Sequence, residues 1–281
     1  IEWWEVNQFV HQEMVNSPEY AASHERWDLV PKFILRLHTD EGHYGVGETS
    51  RGAQRSDIEL AARQLLGVDP RRVSLRRLPI DEMPAATAKG FEVGLFDLIG
   101  RIRDMSVSAL LGGPCRDHVV SSYWAGLQTP EHSVVAAAAA RDGGYSCLKF
   151  KITQGMPVIE RLQRMLEVAP DLRFIVDAMQ RYDDFGQMQD LVRQMADLNV
   201  VCLEDPFPRD RHDWYRQLRQ EGGIPIALHL ASTELILQAL QEDVADIFNC
   251  SPVSLFEFVR MADVAGAAEN DVILLGGQFQ F

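Results

Sequence analysis

Four side chains carry most of the chemistry open to this sequence. Lys149 and Lys151 sit in the short apolar run Leu148-Lys149-Phe150-Lys151-Ile152. Asp177 closes the run Arg173-Phe174-Ile175-Val176-Asp177, and Glu204 closes Val200-Val201-Cys202-Leu203-Glu204. The steps are regular, 26 residues from Lys151 to Asp177 and 27 from Asp177 to Glu204. A further 26 lead to Leu230, at the end of Ile224-Pro225-Ile226-Ala227-Leu228-His229-Leu230, where the rhythm calls for another acid. Residues two apart on a strand share a face, so Lys149 and Lys151 point the same way. Two ammonium groups on one face of a buried strand are costly unless anions or a solvated cavity meet them. Acids at successive strand ends supply the anions. They make either a site for a small substrate or an ion-pair network that only closes the end of a sheet.

The elements that must position these groups alternate in type. Strand-like runs at 119–124, 147–152, 173–177, 200–204, 224–229 and 245–249, and another beginning at 272, are separated by helical runs. The helical runs fall at 133–141, 158–168, 186–197, 213–220, 233–241 and 255–268. Alternating βα units imply a parallel sheet with helices outside, and seven in succession favour a closed (β/α) barrel. In a barrel the carboxyl ends of the strands meet at one mouth, where catalytic groups gather. Residues 1–114 read differently. Strands at 3–10, 32–38 and 43–48 flank the turn Thr39-Asp40-Glu41-Gly42, and helical patterns follow at 56–66 and 84–105. The expected α/β architecture is an N-terminal α+β capping domain, residues 1–114, plus a (β/α) TIM-type barrel of the modified (β/α)7β kind, residues 115–281. The barrel is expected to be incomplete at its C-terminus, because no eighth unit follows Phe281 and the connection at 268–272 is compressed. The polar stretch 16–26 reads as a lid or specificity loop, or else as plain disorder.

Composition narrows the partners. The chain has 281 residues, 46% hydrophobic and 24% charged, enough for a large core. A net charge of −14 argues against a nucleic-acid partner. No apolar run approaches the roughly 18–20 residues of a membrane span. The acidic, aromatic start Ile1-Glu2-Trp3-Trp4-Glu5 is unlike a secretory leader. Cys115, Cys147, Cys202 and Cys250 are far apart with no CxxC, which fits ordinary thiols in the cytoplasm rather than a zinc site.

These motifs resemble the enolase superfamily, most of all its mandelate racemase and muconate-lactonizing branch. Gly45-Val46-Gly47-Glu48-Thr49, Leu95-Phe96-Asp97-Leu98-Ile99-Gly100 and Leu110-Leu111-Gly112-Gly113 match the capping lobe. Lys149-Phe150-Lys151, Val176-Asp177-Ala178 and Leu203-Glu204-Asp205-Pro206 match the barrel motifs. The resemblance implies removal of a proton α to a carboxylate, with Mg²⁺ stabilising the enediolate. It makes Lys151 the base, Asp177 and Glu204 metal ligands, and Lys149 a neighbour that lowers the Lys151 pKa by like-charge repulsion. Lys149 has a second reading, as the structural partner of a nearby carboxylate. The implied reaction is acid-sugar dehydration or racemisation of a small carboxylate. The alternatives are a cycloisomerase or epimerase of the muconate-lactonizing type, or a non-catalytic relative that binds an acid metabolite. Homo-oligomers are common in the family.

The chain departs from the pattern at three places. Leu230 stands where the resemblance puts the third acid, and leucine cannot bind a hard cation. His229, beside it, is expected to face the other side of the strand. Glu234 is four residues on. Phe248-Asn249-Cys250-Ser251 carries neither the Asp nor the Lys of the related groups, and Asp271 to Gly277 contains no His. Cys250 is better read as a buried thiol than as a replacement acid/base. Arg51, Arg55 and His229 are the candidates for substrate contact.

Overall fold

The computed structural model describes residues 1–9, 16–23, 29–80, 82–251 and 254–274. The end of the polar stretch (24–26) and residues 275–281 lie outside them.

The N-terminal part builds an antiparallel sheet from β1 (Glu2–Phe9), β2 (Leu29–His38) and β3 (Tyr44–Glu48), in that order. Gly42 turns the β2–β3 hairpin at φ +85°, a conformation glycine adopts without strain. Three helices follow: α1 (Arg55–Leu65), α2 (Ala85–Arg103) and the single turn α3 (Val107–Leu110). Phe33, Leu35 and Leu37 of β2 pack with Ile58 and Ala61 of α1 and Phe91, Leu95 and Leu98 of α2. At Gly45 and Gly47 the strand β3 lies against α2 with no room for a side chain between. A Cβ on Gly47 would fall 2.0 Å from the Gly90 carbonyl oxygen, and one on Gly45 would fall 2.2 Å from that of Gly94. That contact is the physical reason for the Gly45-Val46-Gly47 motif.

The second sheet is parallel and follows chain order. It runs β4 (Tyr123–Leu127), β5 (Cys147–Lys151), β6 (Arg173–Asp177), β7 (Val200–Glu204), β8 (Ile226–Leu230), β9 (Ile247–Cys250) and β10 (Asp271–Leu274). Between them lie α4 (Pro130–Asp142), α5 (Val158–Val168), α6 (Phe185–Met195), α7 (His212–Glu221), α8 (Thr233–Glu242) and α9 (Leu255–Ala267). Sequential order with every neighbour parallel is the βα pattern expected of a barrel wall. Among the described residues β4 and β10 are the two ends of this sheet.

Strands β8 and β9 start two residues later than the sequence pattern indicates, and β4 departs from it most. The run at 119–124 gives way to β4 at Tyr123–Leu127, because Val119 and Val120 are left 77% and 67% exposed while Ala125 and Leu127 are buried. Helix starts are set by side-chain caps. Thr129, Asp184, Ser232 and Ser254 each accept a backbone N–H from the first turn of α4, α6, α8 and α9.

Two layers of apolar side chains sandwich the wall. The outer layer, between strands and helices, holds Leu148, Phe150, Phe174, Val176, Leu203, Leu228, Leu230 and Phe248. The inner layer is smaller: Cys147, Ile175, Cys202 and Ala227 form a floor. Lys151, Asp177 and Glu204 lie one layer beyond Ile175 and Cys202 of that floor, toward the strand ends.

The two parts touch near these ends. The segment after residue 15 docks on β4: Asn16 Oδ1 accepts the Leu127 N–H at 2.8 Å, and the Leu127 carbonyl accepts the Ser17 N–H at 2.8 Å. Glu92 of α2 accepts the Leu255 N–H with both carboxylate oxygens, at 3.0 and 3.1 Å. It thereby serves the first turn of α9 from the other lobe. Among the described residues no helix is long and apolar enough to cross a membrane.

Candidate active site

Strand register brings the charged groups together. Lys151 pairs with Asp177, and Asp177 with Glu204, so their side chains share the inner face at one level. Lys149 lies one layer below, level with Ile175. Its ammonium is 2.6 Å from Glu204 Oε2 and 3.3 Å from Asp177 Oδ2. Lys149 is therefore the direct partner of both carboxylates, the second of its two readings.

The remaining oxygens of the pair are also engaged. Glu204 Oε1 accepts Asn249 Nδ2–H at 2.8 Å, and Asp177 Oδ1 accepts the Met179 N–H at 2.9 Å. Met179 and Gln180 both take positive φ, 52° and 61°, which turns the chain back over the strand end. Glu204 is 1% exposed. Asn249 is equally buried, and its Oδ1 has no hydrogen-bond partner.

Position 229 corrects the sequence reading. In β8, Ala227 pairs with Glu204, and His229 pairs with Asn249. Ala227 and His229 thus share the inner face, and Leu228 and Leu230 point out to the helices. His229, not Leu230, faces the mouth. Its Nε2 shares a hydrogen bond with Ser251 Oγ at 2.8 Å, and its Nδ1 lies 4.0 Å from Glu204 Oε1. Leu230 is buried in the outer apolar layer. The cause is register. The paired step from Glu204 to Ala227 spans 23 residues rather than 26 (227 minus 204), so β8 runs farther past β7 than even spacing predicts.

Asp205 braces the same corner. Its carboxylate meets Arg209 at 3.2 Å and accepts the His229 N–H at 3.2 Å, while Arg209 also donates to the His229 carbonyl.

The electrostatics divide the two lysines. For Lys149 burial works against the charge, yet Asp177 and Glu204 outweigh it and lift the pKa above the ordinary lysine value. For Lys151 burial is the larger influence, and the pKa falls. The attraction of Asp177 and the repulsion of Lys149 follow in size, so like-charge repulsion contributes but does not lead. Burial raises Glu204, with the Asp177 charge adding to it, and lowers His229. Burial also pushes the Cys250 thiol up to about 11, an inert group as expected.

The other substrate candidates fare unevenly. Arg55 lies over the Trp3 ring at 4.7 Å and pairs with Glu59 at 3.3 Å, both on the N-terminal part. That is a surface role, and the structure does not bring it to the lysines. Arg51 is half-buried in the turn between β3 and α1. Asn249, Ser251 and the Asp205–Arg209 brace were missed. Period-two alternation along β8 and β9 points to Asn249 and Ser251, but only once register is known.

Comparison with known proteins supplies the family. The pattern of the family described as "Enolase C-terminal domain-like" matches residues 133–278, more than half of the chain. The chain belongs to the enolase superfamily. Among its relatives is an N-succinyl-L-Arg/Lys racemase of Bacillus cereus, 23% identical over 248 residues, covering 82% of this chain and 67% of that protein. A D-galactonate dehydratase of Klebsiella pneumoniae is 24% identical over 227 residues, covering 72% of this chain. The chain spans 59% of the length of that dehydratase. Two solved structures share the fold. A mandelate racemase/muconate lactonizing protein from Herpetosiphon aurantiacus gives a TM-score of 0.84 at 19% identity, covering 98% of this chain and 80% of that one. A dipeptide epimerase from Enterococcus faecalis gives 0.79 at 17%, covering 97% and 80%.

Enolase-superfamily members generally use Mg²⁺, so the donor set decides whether this chain fits the ion. It does not fit a three-acid magnesium centre. Both carboxylates are held by Lys149, their other oxygens accept chain donors, and the third position offers an imidazole. Mg²⁺ demands oxygen ligands in near-octahedral geometry. Among the described residues no group of three or more His, Cys, Asp or Glu side chains converges to hold a metal.

Proposed function

We propose that this protein is an isomerase or lyase that removes a proton α to the carboxylate of a small organic acid, with an acid sugar the first substrate class to try. Lys151 is the base. The observation that carries this is a half-buried lysine, its pKa depressed mainly by burial, on the same face as Lys149, Asp177 and Glu204 at the strand ends. A depressed pKa leaves more of the amine neutral and ready to accept a proton.

The steps follow from the residues. The Lys151 amine takes the α-proton, and the C–H electrons move toward the substrate carboxylate to give an enediolate. The Lys149 ammonium, held by Asp177 and Glu204, places a positive charge one layer below Lys151. Return of the proton from Lys151 to the same face gives exchange with retention, whereas delivery of a proton to the opposite face by a second donor gives racemisation or epimerisation. Loss of a β-hydroxyl as water, protonated by the Lys151 ammonium that holds the abstracted proton, instead gives an enol that tautomerises to the 2-keto acid, which is dehydration. The racemase and dehydratase among the relatives support both outcomes. A second reading, acid binding without turnover, is favoured by one observation: Leu230 faces outward, so position 230 offers the mouth no carboxylate.

Proton exchange at the α-carbon tests the proposal. Acid sugars and N-acyl amino acids are incubated with the protein in deuterated water and followed by proton NMR. Lys151→Ala is expected to slow exchange by about 100-fold or more, the usual contribution of a positioned acid/base. Exchange that persists undiminished in this variant removes Lys151 from the role. No exchange with any acid favours the binding reading.

A further inference from the structure

We propose that the Lys149 ammonium is the resident cation of this site and that it takes the place of a divalent metal ion. The inference rests on the family membership and on the site geometry. It deepens the functional reading without depending on a particular substrate.

Three observations converge on it. First, the ammonium bridges the two carboxylates, one oxygen from each, at 2.6 and 3.3 Å. A cation held by both Asp177 and Glu204 would compete with Lys149 for these oxygens. Second, the other oxygen of each acid accepts a chain donor, Asn249 Nδ2–H or the Met179 N–H. A metal therefore has to displace Lys149 and forfeit the charge-assisted bonds that stabilise it. Third, the register of β8 places His229 at the mouth and Leu230 in the outer apolar layer, so a third carboxylate is supplied by neither residue.

Charge balance agrees with this arrangement. Two carboxylates and one ammonium leave the cluster one negative charge in excess. Three acids would leave two, a set that calls for a divalent cation. Here the closest neutral donors, Asn249 and His229, add no charge to attract one.

Cation binding and α-proton exchange together test the proposal. The intact protein is titrated by calorimetry with MgCl₂, and separately with MnCl₂, to about 10 mM, above the roughly millimolar dissociation constants of weak carboxylate cation sites. No saturable binding is expected. The unfolding midpoint is expected to shift by less than about 1 °C between EDTA and saturating magnesium, since a ligand that does not bind cannot stabilise. Saturable binding that Asp177→Asn abolishes overturns the proposal. In Lys149→Gln the carboxylates lose their ammonium, and saturable binding with a dissociation constant below about 1 mM is expected to appear. A folded Lys149→Gln protein that binds no metal overturns the claim that Lys149 excludes it. If that variant does not fold, the wild-type titration decides. Exchange measured with and without EDTA separates the two readings. Exchange that survives EDTA supports both. Exchange that requires magnesium overturns this inference and leaves the proposed function standing. Absent exchange, with no metal bound, removes the function and leaves the inference.

Discussion

Strand β5 buries a cation on each of its faces, and the two are held in opposite ways. On the inner face, Lys149 meets two carboxylates and its pKa rises. On the outer face, Arg161 of α5 is fully buried, and among the described residues no carboxylate pairs with it. Its guanidinium donates to Ser133 Oγ at 2.8 Å and to the Lys151 carbonyl at 3.0 Å, and lies 4.6 Å from the centre of the Phe150 ring. Its Nη2 has no hydrogen-bond partner, and burial pushes its pKa down to about 9. Burial alone does not set the state of a charge; the neighbours do. Arg161 is kept by neutral dipoles and an aromatic face, which are weaker than a counter-ion. Its bond to the Lys151 carbonyl ties α5 to the strand end from which the proposed base projects.

The comparison can be broken by removing each cation in turn. Lys149→Met leaves Asp177 and Glu204 facing one another without compensation, and urea unfolding is expected to show a loss of about 3–5 kcal/mol. A loss under about 1 kcal/mol would mean that Lys149 does not neutralise the pair. Arg161→Met keeps much of the length and packing, gives up two hydrogen bonds, and relieves an unpaired buried charge. The opposing effects leave an expected change of about 1 kcal/mol or less. A cost equal to that of Lys149→Met would show that the two faces are not different after all.

A third buried charge, in the other lobe, sharpens the contrast. Burial raises the Glu92 carboxyl to about 7 from its ordinary 4.5, against the lowering effect of its bonds to the Leu255 N–H and of Lys89. A raised pKa means that the folded state favours the protonated form. The stabilising contribution is therefore complete below pH 4.5 and is lost as the pH rises through about 7. Glu92→Gln is expected to flatten the pH dependence of the melting temperature across that window. The gain over wild type appears at pH 8 and not at pH 4. An unchanged profile would assign the pH dependence to other groups.

Much of the site was legible in the sequence because it depends on local pattern. The alternation Lys149-Phe150-Lys151 fixes two lysines on one face whatever surrounds them, and Asp177 and Glu204 end runs too apolar to be anything but strands. The (β/α) order followed from the same periodicity. What escaped was register. Even spacing placed Leu230 at the mouth, whereas hydrogen bonding set Glu204 against Ala227 and so turned His229 inward. A short strand with a single polar residue does not announce its own offset, since sliding it by one residue exchanges its faces. Asn249 and Ser251 were hidden for the same reason. Arg161 was hidden by its type: an arginine on an amphipathic helix reads as solvated, and only the packing of α4 on α5 encloses it. The strand at 119–124 was misplaced by two apolar valines that the fold leaves in solvent.

The register of β8 also has an evolutionary reading. Neighbouring positions 229 and 230 look interchangeable as places to install an acid, but they belong to different environments. A carboxylate introduced at 230 would enter the layer between strands and helices and threaten folding before it could influence the site. One introduced at 229 would enter the mouth at little cost to the core. The donor set of this protein is therefore free to drift through position 229, while position 230 is constrained by the need to fold.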